Sequence, residues 1–473
     1  MTNTRNFYIN GAWTAPAAAN DAPVINPSTE QEVATITLGT QADTDAAVAA
    51  AKAAFPAWSA LTLEERLAPL ERLIDAYKAG KDKMSAAMTA EMGAPKQLSE
   101  GSQYGAGLWH MKEAVRAARA FAFEHESGDD LIYHEPIGVC ALITPWNWPM
   151  NQVTLKVMPA LAVGCTVVLK PSEIAPLSSV VFSEMIDEAG FPPGVFNMVN
   201  GDGAGVGTQL SVHPDVDMVS FTGSTRAGSL ITKNAADSVK RVSLELGGKG
   251  ANLVFADADE KAVVRGVRHC FQNTGQSCNA PTRMLIEASV YDQAVATAVA
   301  TAEKTTVGPA AEDGRHIGPV VSEGHWTKIQ GLIQDGIDEG ARLVAGGTGK
   351  PDGMNAGYFV KPTIFADVTN DMKIAQEEIF GPVLAMIPFE TEEEAVAIAN
   401  DTDYGLTNYV QTQDPARAKR LSRQLRSGMV QVNGTGLGAQ TPFGGYKQSG
   451  NGREGSTWGL EEFMEVKAVS GVA

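Results

Sequence analysis

The sequence predicts an α/β fold that is built on parallel sheets and divided into more than one domain. The chain has 473 residues, whereas a single hydrophobic core stops growing near ~250–300 residues. Short β-branched runs alternate with longer Ala-rich amphipathic segments, a pattern that is typical of strand–helix–strand units. Most of these runs end in a polar or glycine-rich cluster, and ligands bind beyond the carboxyl ends of the strands in open α/β sheets.

Helices are predicted where Ala, Leu, Glu and Lys dominate and apolar residues recur every three or four positions. These segments are 44–60, 63–90 and 105–124, and helix-like stretches at 177–190 and 203–213 separate later strands. The predicted strands are Gly138–Ile143, Thr166–Leu169, Val195–Val199, Met218–Phe221, Val242–Leu244 and Asn252–Phe255. A second βα-like region runs from residue 250 to about residue 448. The stretch Glu461–Val469 is predicted as a final strand, whose free edge another subunit would cover.

Composition limits the classes of partner. Hydrophobic residues make up 44% and charged residues 19% of the chain, as in ordinary globular proteins. The net charge of -18 has no basic run to offset it, which opposes binding to nucleic acid or to anionic membranes. No secretory signal and no membrane-spanning run is visible. We therefore expect a small-molecule substrate, no nucleic acid and no membrane.

The four cysteines are expected to be free thiols and not disulfide bonds that stabilise the fold. They form no CxxC pair and no zinc-ligand spacing, so no metal site is predicted and reduced thiols in a cytoplasm are expected. Cys140, Cys165 and Cys270 lie in apolar or helical stretches and are interpreted as small buried hydrophobes. Cys278 differs because it ends the polar turn Gly275-Gln-Ser-Cys, where a small electrophile can reach it. It is the candidate nucleophile, with a buried structural thiol as the alternative.

Two further side chains complete a candidate catalytic set. Glu245 follows a predicted strand and precedes Gly247-Gly248, so a carboxylate there can swing between positions; the alternative is a helix cap or a surface acid. Asn147 lies in Thr144-Pro-Trp-Asn-Trp-Pro149, a loop that its prolines make stiff. Its side-chain N–H can stabilise a developing oxyanion, a contribution worth roughly 2.7–4 kcal/mol in acyl transfer. The alternative is a rigid aromatic turn between domains.

The nucleotide signals are unusual. The glycines of 201–207 alternate and do not match the G-x-G-x-x-G spacing, so a standard Rossmann fingerprint is absent. The segment Phe221-Thr-Gly-Ser-Thr225 joins a strand to a helix, where amides and hydroxyls favour phosphate. Lys170 and Glu173 follow another strand and can bind ribose hydroxyls, and Glu173 disfavours the 2′-phosphate of NADP. Ordinary polar turns are the alternative interpretation of both segments.

Seven motifs in order reveal a family. They are TPWNWP at 144–149, KPSE at 170–173, FTGST at 221–225, ELGGK at 245–249, GQSC at 275–278, EEIFGP at 377–382 and PFGGYK at 442–447. The chain resembles the aldehyde dehydrogenase superfamily from Phe7 to Lys467. The resemblance implies a variant Rossmann NAD-binding domain (1–118 and 138–245), an α/β catalytic domain (246–448) and a small β oligomerisation element (119–137 and 449–473).

The resemblance also implies roles for individual residues. Cys278 matches the nucleophile, Glu245 the general base, and Asn147 with the Cys278 N–H the oxyanion hole. The matching cofactor positions are Ile143, Trp146, Lys170, Ser172, Glu173, Gly203, Gly207, Phe221, Gly223, Ser224, Leu246, Glu378 and Phe380. The matching substrate positions are Trp148, Asn151, Gln152, Leu155, Asn279, Thr435 and Leu437. Lys156 and Glu454 match positions that support proton movement, with a structural ion pair as the alternative.

The expected activity is NAD-dependent oxidation of an aldehyde to a carboxylic acid, through a cysteine hemithioacetal and a thioester that water hydrolyses. Relatives that transfer the acyl group to coenzyme A tend to lack a base at the Glu245 position, so Glu245 favours hydrolysis. Leu155 replaces a tryptophan that often completes the cage for betaine aldehyde, and no arginine stands at the substrate positions to bind succinate semialdehyde. We therefore expect a small or medium aldehyde.

Three matters stay open at this level. NADP is possible as a cofactor but less favoured than NAD. A homodimer and a homotetramer are both compatible with the resemblance. A structural role like that of lens crystallins, or hydrolysis of activated esters by the same thiol, would be a different class of function. The intact Cys278, Glu245 and Asn147 argue against the first, and the cofactor motifs argue against the second.

Overall fold

The computed structural model describes residues 2–472, and its strands form two seven-stranded sheets and three smaller ones. The strands in chain order are β1 (Phe7–Ile9), β2 (Ala12–Thr14), β3 (Asp21–Asn26), β4 (Gln31–Thr37), β5 (Glu124–Ser127), β6 (Asp130–Pro136), β7 (Val139–Ile143), β8 (Thr166–Lys170), β9 (Phe196–Met198), β10 (Met218–Thr222), β11 (Arg241–Glu245), β12 (Ala251–Val254), β13 (Arg283–Glu287), β14 (Arg342–Ala345), β15 (Thr363–Ala366), β16 (Val383–Phe389), β17 (Tyr404–Gly405), β18 (Thr407–Gln411), β19 (Met429–Val432), β20 (Tyr446–Lys447) and β21 (Met464–Ser470).

The helices cover both faces of the large sheets. In chain order they are α1 (Gln41–Ser59), α2 (Leu63–Ala79), α3 (Lys81–Met92), α4 (Lys96–Leu98), α5 (Tyr104–Ala120), α6 (Pro149–Val163), α7 (Leu177–Ala189), α8 (Thr208–Val212), α9 (Thr225–Ala236), α10 (Ala262–Phe271), α11 (Tyr291–Glu303), α12 (Glu323–Asp338), α13 (Lys373–Gln376), α14 (Glu392–Asn400), α15 (Pro415–Gln424) and α16 (Ser456–Glu461). Short π-helical turns occur at Ser99–Gln103 and Gly203–Gly207, and 3₁₀ turns at Gln272–Gly275 and Ala288–Val290. Within the described residues, every helix is too short or too polar to cross a bilayer.

The first large sheet has the order β11-β10-β7-β8-β9-β1-β2, and its first five strands are parallel. The chain adds β8 and β9 on one side of β7 and then returns to add β10 and β11 on the other side. The strand order therefore reverses between β7 and β10, and a ligand crevice forms at such a point. Strands β7, β8 and β10 are buried along their whole length, which explains their continuous apolar sequences.

The second large sheet has the order β14-β15-β16-β13-β12-β18-β19 and is parallel except for β14. Apolar clusters fill both of its faces. The strands of one large sheet come from the part of the chain between β1 and β11, and those of the other come from the part between β12 and β19. These parallel-rich sheets confirm the predicted α/β class. The exact domain boundaries stay a prediction.

The predicted C-terminal strand exists, but it begins at Met464 because Ser456–Glu461 is helical. It pairs antiparallel with β6 of the same chain, in the three-stranded order β21-β6-β5, so only its outer edge lacks a partner strand. Residues 449–463 contact other parts of the chain. Gly450 forms a β-bridge with Glu245, and α16 packs against α5 and α6. The segment predicted as an oligomerisation element therefore also reaches the interior of the protein.

Three predicted helices have different limits. The single helix predicted at 63–90 is two helices, because Gly80 ends α2 and begins α3. No side chain fits at Gly80 without a shift of Met185 from α7, because a Cβ there would lie 2.2 Å from Cε of Met185. The helix predicted at 105–124 ends at Ala120. The helix predicted at 203–213 starts as a π-helical turn, which Asp202 caps by accepting from the Gly205 N–H at 2.5 Å.

Arg283 is a fully buried cation in the middle of the second sheet. Its guanidinium donates to the main-chain oxygens of Lys249 (3.1 Å), Ile398 (2.9 Å) and Ala399 (2.9 Å), and to Oδ1 of Asn370 (2.9 Å). Burial lowers its pKa to about 10. One side chain thus satisfies four oxygens from three separate segments and ties them to the sheet.

We predict that Arg283→Met lowers the free energy of unfolding by about 3 kcal/mol or more, because four acceptors lose a charged donor. Denaturant unfolding followed by far-ultraviolet circular dichroism measures this. The control is Arg5→Met, since the Arg5 side chain is 60% exposed and pairs only with Asp21; its effect should stay within about 0.5 kcal/mol. Equal stability of the two variants would contradict the prediction.

Candidate active site

A cleft of about 200 Å³ opens where the strand order of the first sheet reverses. Its walls come from the residues that directly follow β7, β10 and β11, together with residues of the second sheet's domain. The lining residues are Pro145, Trp146, Asn147, Thr222, Gly223, Ser224, Leu246, Gly247, Cys278, His325, Lys328, Glu378 and Phe380. Polar or glycine-rich clusters at the ends of three predicted strands, 144–149, 222–225 and 245–249, therefore meet in this cleft.

Cys278 is partly exposed in the cleft, whereas the other three cysteines are buried free thiols. Burial raises the pKa of the Cys278 thiol far above its ordinary value, and the carboxylates of Glu378, Glu245 and Glu454 raise it further. A raised pKa favours the protonated thiol over the thiolate. A cationic group in the cleft would favour the thiolate, which is the nucleophilic form.

The loop that presents Cys278 is held in an uncommon backbone conformation. Asn273, Thr274 and Gly275 have φ values of 52°, 58° and 74°, and a β-branched residue such as Thr274 rarely adopts a positive φ. Thr274 is anchored by its hydroxyl, which donates to the Gly318 carbonyl oxygen at 3.0 Å. Gly275 has no alternative, because a Cβ there would lie 2.0 Å from the Gly381 carbonyl oxygen. The surrounding contacts thus impose a strained loop next to the thiol.

Asn147 lies in the same cleft and is 5% exposed. Its Nδ2 donates to the main-chain oxygen of Gln276, two residues before Cys278, at 3.1 Å. An amide nitrogen carries two hydrogens, so one N–H remains for a ligand. The predicted stiff loop therefore places an oriented donor beside the thiol.

The two glycines after Glu245 are closely packed. The suggestion that they let the carboxylate swing stays a prediction, and neither adopts a positive φ. A Cβ at Gly247 would lie 2.4 Å from Oε2 of Glu378, and one at Gly248 would lie 2.5 Å from the Cys278 carbonyl oxygen. The Gly248 N–H also donates to Oε1 of Glu378 at 2.9 Å. These glycines are needed because Glu378 and the cysteine loop approach the main chain closely.

Glu245 is 3% exposed, and neither carboxylate oxygen has a hydrogen-bond partner among residues 2–472. Burial raises its pKa well above the ordinary value and Glu454 adds to the shift, while Lys156 and Arg453 oppose it. Nearby, Lys156 is almost fully buried and donates to Glu454 at 2.7 Å and to Ser220 at 2.9 Å. The base candidate is thus a desolvated carboxylate beside a buried ion pair.

Six of the predicted cofactor residues line the cleft: Trp146, Gly223, Ser224, Leu246, Glu378 and Phe380. Ser224 caps α9, since its hydroxyl accepts from the Ala227 N–H at 3.3 Å, so the helix N-terminus faces this region. Lys170 is buried at the end of β8 and forms an ion pair with Glu173 at 3.2 Å. The other predicted cofactor positions, Ile143, Ser172, Gly203, Gly207 and Phe221, do not line this cleft.

Two cleft residues were missed by sequence reasoning. His325 and Lys328 lie one turn apart on α12, and Lys328 donates to the Glu378 carbonyl oxygen at 2.8 Å. The His325 ring packs against Trp146 and Phe380, with centroid distances of 5.4 and 6.0 Å, and burial lowers its pKa to about 4. No motif marked them, because a histidine and a lysine at helical spacing look like an ordinary polar face.

The predicted substrate positions do not line the cleft. Trp148 donates from Nε1 to Oγ of Ser277 at 2.8 Å, and the Asn279 carbonyl accepts from the Tyr409 hydroxyl at 2.5 Å. Asn151 shares a 2.8 Å hydrogen bond with His110. Gln152 and Leu155 are buried, and Leu437 is 40% exposed.

A second cavity, of about 800 Å³, adjoins residues 271–274 but does not include Cys278. The cleft at the reversal of strand order, although smaller, is therefore the one that contains the reactive thiol.

We predict that Glu378→Gln lowers the pKa of the Cys278 thiol, because Glu378 is the carboxylate that raises it most. The rate of Cys278 alkylation by iodoacetamide at pH 7 should increase severalfold, since only the thiolate reacts. The matched control is the exposed neighbour variant Glu377→Gln, which should leave the rate unchanged. An alkylation–pH profile of Glu378→Gln that overlays the wild-type profile would refute this electrostatic account.

Comparison with known proteins gives a consistent answer. The model of the aldehyde dehydrogenase family matches residues 13–469. The chain is 52% identical over 473 residues to a 3-succinoylsemialdehyde-pyridine dehydrogenase from Pseudomonas, covering 100% of this chain and 99% of that one. A crystal structure of aldehyde dehydrogenase from Bartonella henselae has a TM-score of 0.98 and 56% identity, covering 99% and 100% of the two chains. Aldehyde dehydrogenase C of Pseudomonas syringae, a cysteine-to-alanine mutant crystallised with NAD⁺ and octanal, has a TM-score of 0.98 and 46% identity, covering 100% and 97%.

Proposed function

The chain belongs to the aldehyde dehydrogenase family and is an NAD-dependent oxidoreductase, and from this premise we propose that it oxidises an aldehyde through Cys278 and releases a carboxylic acid. One observation supports the assignment most strongly. Cys278, the one cysteine that is partly exposed, lies with the Asn147 amide in a cleft at the carboxyl ends of the strands of the first sheet. The buried carboxylate of Glu245 lies close enough to raise the pKa of this thiol.

The first step requires the thiolate of Cys278. It attacks the carbonyl carbon of the aldehyde, and the carbonyl oxygen becomes an alkoxide that the free N–H of Asn147 and the Cys278 main-chain N–H stabilise. The hydrogen bond from Asn147 to Gln276 fixes the direction of the donor before the substrate arrives. A prearranged donor needs no reorganisation when the charge develops.

Residues of the cleft, together with Lys170 and Glu173 outside it at the end of β8, fit NAD. The N-terminus of α9 with Ser224 suits the pyrophosphate, Lys170 and Glu173 suit the adenosine ribose, and Glu378 with Phe380 suits the nicotinamide end. NAD bound there supplies the acceptor for the hydride that leaves the tetrahedral adduct, and Cys278 is left as a thioester. Because the 2′-hydroxyl contacts would come from a carboxylate, we propose that NAD is preferred over NADP.

Glu245 then acts as the general base of hydrolysis. It takes a proton from the water that attacks the thioester, and the acid leaves as Cys278 is freed. Its pKa is raised by burial, so the ionised form that can accept a proton increases as the pH rises toward and above that pKa. The ion pair of Lys156 and Glu454 lies beside Glu245 and can pass the proton onward. A structural ion pair is the alternative for these two residues.

The substrate is proposed to be a small or medium aldehyde. One relative in the comparison is named for a pyridine semialdehyde and another was crystallised with octanal, and neither compound is small and charged. Trp148, Asn151, Gln152, Leu155, Asn279 and Leu437 remain the proposed substrate contacts. Trp148 and Asn279 are the best supported of them, because Trp148 bonds to Ser277, which precedes Cys278, and Asn279 follows Cys278 in the chain.

Assembly and location complete the proposal. We propose a homodimer or homotetramer, because β21 leaves an unpaired outer edge on which Val466 is 64% exposed. A cytoplasmic location is proposed because a reactive thiol survives best in a reducing compartment. The domain division stated from the sequence is retained, since each large sheet takes its strands from one proposed domain.

We predict that Glu245→Gln gives one rapid equivalent of NADH per active site and then turns over at least about 100-fold more slowly than the wild type. The physical reason is that acylation and hydride transfer proceed without the base, while hydrolysis does not. Nicotinamide absorbance over a panel of aldehydes measures both phases, with NADP⁺ in parallel as the expected poorer acceptor. Cys278→Ala is the control and should form no NADH. Steady-state turnover of Glu245→Gln at the wild-type rate would show that another group is the base.

We predict that Val466→Asp shifts the protein to a smaller species in light scattering, because a charge on the open edge of β21 opposes strand pairing between subunits. Val33→Asp is the control, since Val33 is 44% exposed on a strand of the N-terminal hairpin. A wild-type protein that is monomeric, or a Val466→Asp variant with the wild-type mass, would contradict assembly through this edge.

A further inference from the structure

A buried glutamine connects the two loops of the oxyanion hole. Gln103 is 1% exposed and lies at the end of the π-helical turn Ser99–Gln103, before α5 begins. Its Nε2 lies 3.2 Å from the Asn147 carbonyl oxygen and 3.2 Å from Oδ1 of Asn273. Asn147 belongs to the loop after β7, and Asn273 belongs to the loop that presents Cys278. Gln103 is thus a single donor shared by the two segments on which oxyanion stabilisation depends.

The side-chain amide of Asn273 also connects the two loops. Its Nδ2 donates to the Asn147 carbonyl oxygen at 2.9 Å and to the Gln276 carbonyl oxygen at 3.1 Å. Since both acceptors are main-chain oxygens, Nδ2 must face them and Oδ1 must face Gln103. The same reasoning fixes the Gln103 amide, because its oxygen could not bond to a carbonyl oxygen. The orientation of the whole network is therefore determined by its hydrogen bonds.

The network acts on a part of the chain that needs restraint. Asn273 and Thr274 both have positive φ, a conformation that persists only where surrounding contacts enforce it. The Asn147 carbonyl receives two of these donors, and the Asn147 side chain is in turn held by Gln276. A π-helical turn is itself uncommon and is frequent at functional sites. Here it directs Gln103 out of the helix toward both loops.

We propose that Gln103 is a positioning residue that holds the Asn147 amide in the direction required for oxyanion stabilisation. It touches neither substrate nor cofactor and acts through the main chain of Asn147 and the side chain of Asn273. The proposal rests on the role of Asn147 proposed above. Its consequence is that part of the rate of thiol attack depends on a helix outside the cleft.

The test is Gln103→Met, which keeps the length of the side chain and removes the donor. We expect kcat to fall by roughly tenfold or more, because a displacement of about 1 Å in a positioned group can lower a rate 100-fold. Ester hydrolysis without NAD should fall by the same factor, since it uses the same oxyanion hole. NAD binding and the alkylation rate of Cys278 should stay at wild-type values, because neither requires the Asn147 amide.

Two comparisons separate positioning from general stability. Gln411→Met removes another buried glutamine, which is 2% exposed and bonds to Asn252 and Arg265, and it should leave kcat unchanged at a similar loss of Tm. In a protein that already carries Asn147→Ala, adding Gln103→Met should change kcat by less than twofold, because both changes remove the same contribution. A Gln103→Met enzyme within twofold of wild-type kcat, or additive losses in the double variant, would overturn the proposal.

A second variant keeps the test valid if Gln103→Met folds poorly. Gln103→Glu preserves size and shape but places carboxylate oxygens against the Asn147 carbonyl and Asn273 Oδ1, so it should lose at least as much activity. Wild-type kcat in that variant would equally refute the proposal. The two hypotheses fail differently: no aldehyde-dependent NADH formation by the wild type would refute the proposed function, and a fully active Asn147→Ala would refute the oxyanion role of Asn147. A slow Asn147→Ala with a fully active Gln103→Met would refute only the positioning role.

Discussion

The reversal of strand order between β7 and β10 is the constraint on which the rest of the site depends. Strand β8 lies on one side of β7 and β10 lies on the other. The segments that follow these strands therefore run in opposite directions, and a crevice forms between them. The loop with Asn147, the turn with Ser224 and the segment with Leu246 all line it. A cofactor cleft without the usual glycine spacing is then understandable, because the topology and the N-terminus of α9 supply the features that the fingerprint normally marks.

The second sheet completes the cleft by bringing main chain very close to main chain. Gly247 and Gly248 lie against Glu378 and the Cys278 carbonyl, and Gly275 lies against the Gly381 carbonyl, at separations that no side chain could share. This close packing desolvates the carboxylates and the thiol, so the pKa values of Glu245 and Cys278 are raised together. The same burial that makes Glu245 a stronger base makes the thiol harder to ionise. The positive charge of the nicotinamide ring of bound NAD⁺ would lower the pKa of the Cys278 thiol again.

The sequence predicted the elements whose signals are local and strong. The buried strands β7, β8 and β10 were placed within one or two residues, because continuous β-branched runs have few alternatives. The helix predicted at 63–90 was divided in the structure at Gly80, where the main chain leaves the helical conformation and Met185, over 100 residues away, packs against the break. His325, Lys328 and Gln103 were not identified, since each joins the site only through contacts with residues distant in the sequence.

By itself, the sequence determined the α/β class and the family, because ordered motifs over the whole length are specific, and it predicted the thiol, the carboxylate and the amide as the catalytic set. Only the tertiary structure decided how those groups are tuned. Contacts between separate segments bury Glu245, strain the main chain at Thr274 and require glycine at 247 and 248. They also give Gln103 its hydrogen bonds to both loops. Such contacts have no period or spacing in the chain, so no local pattern can encode them.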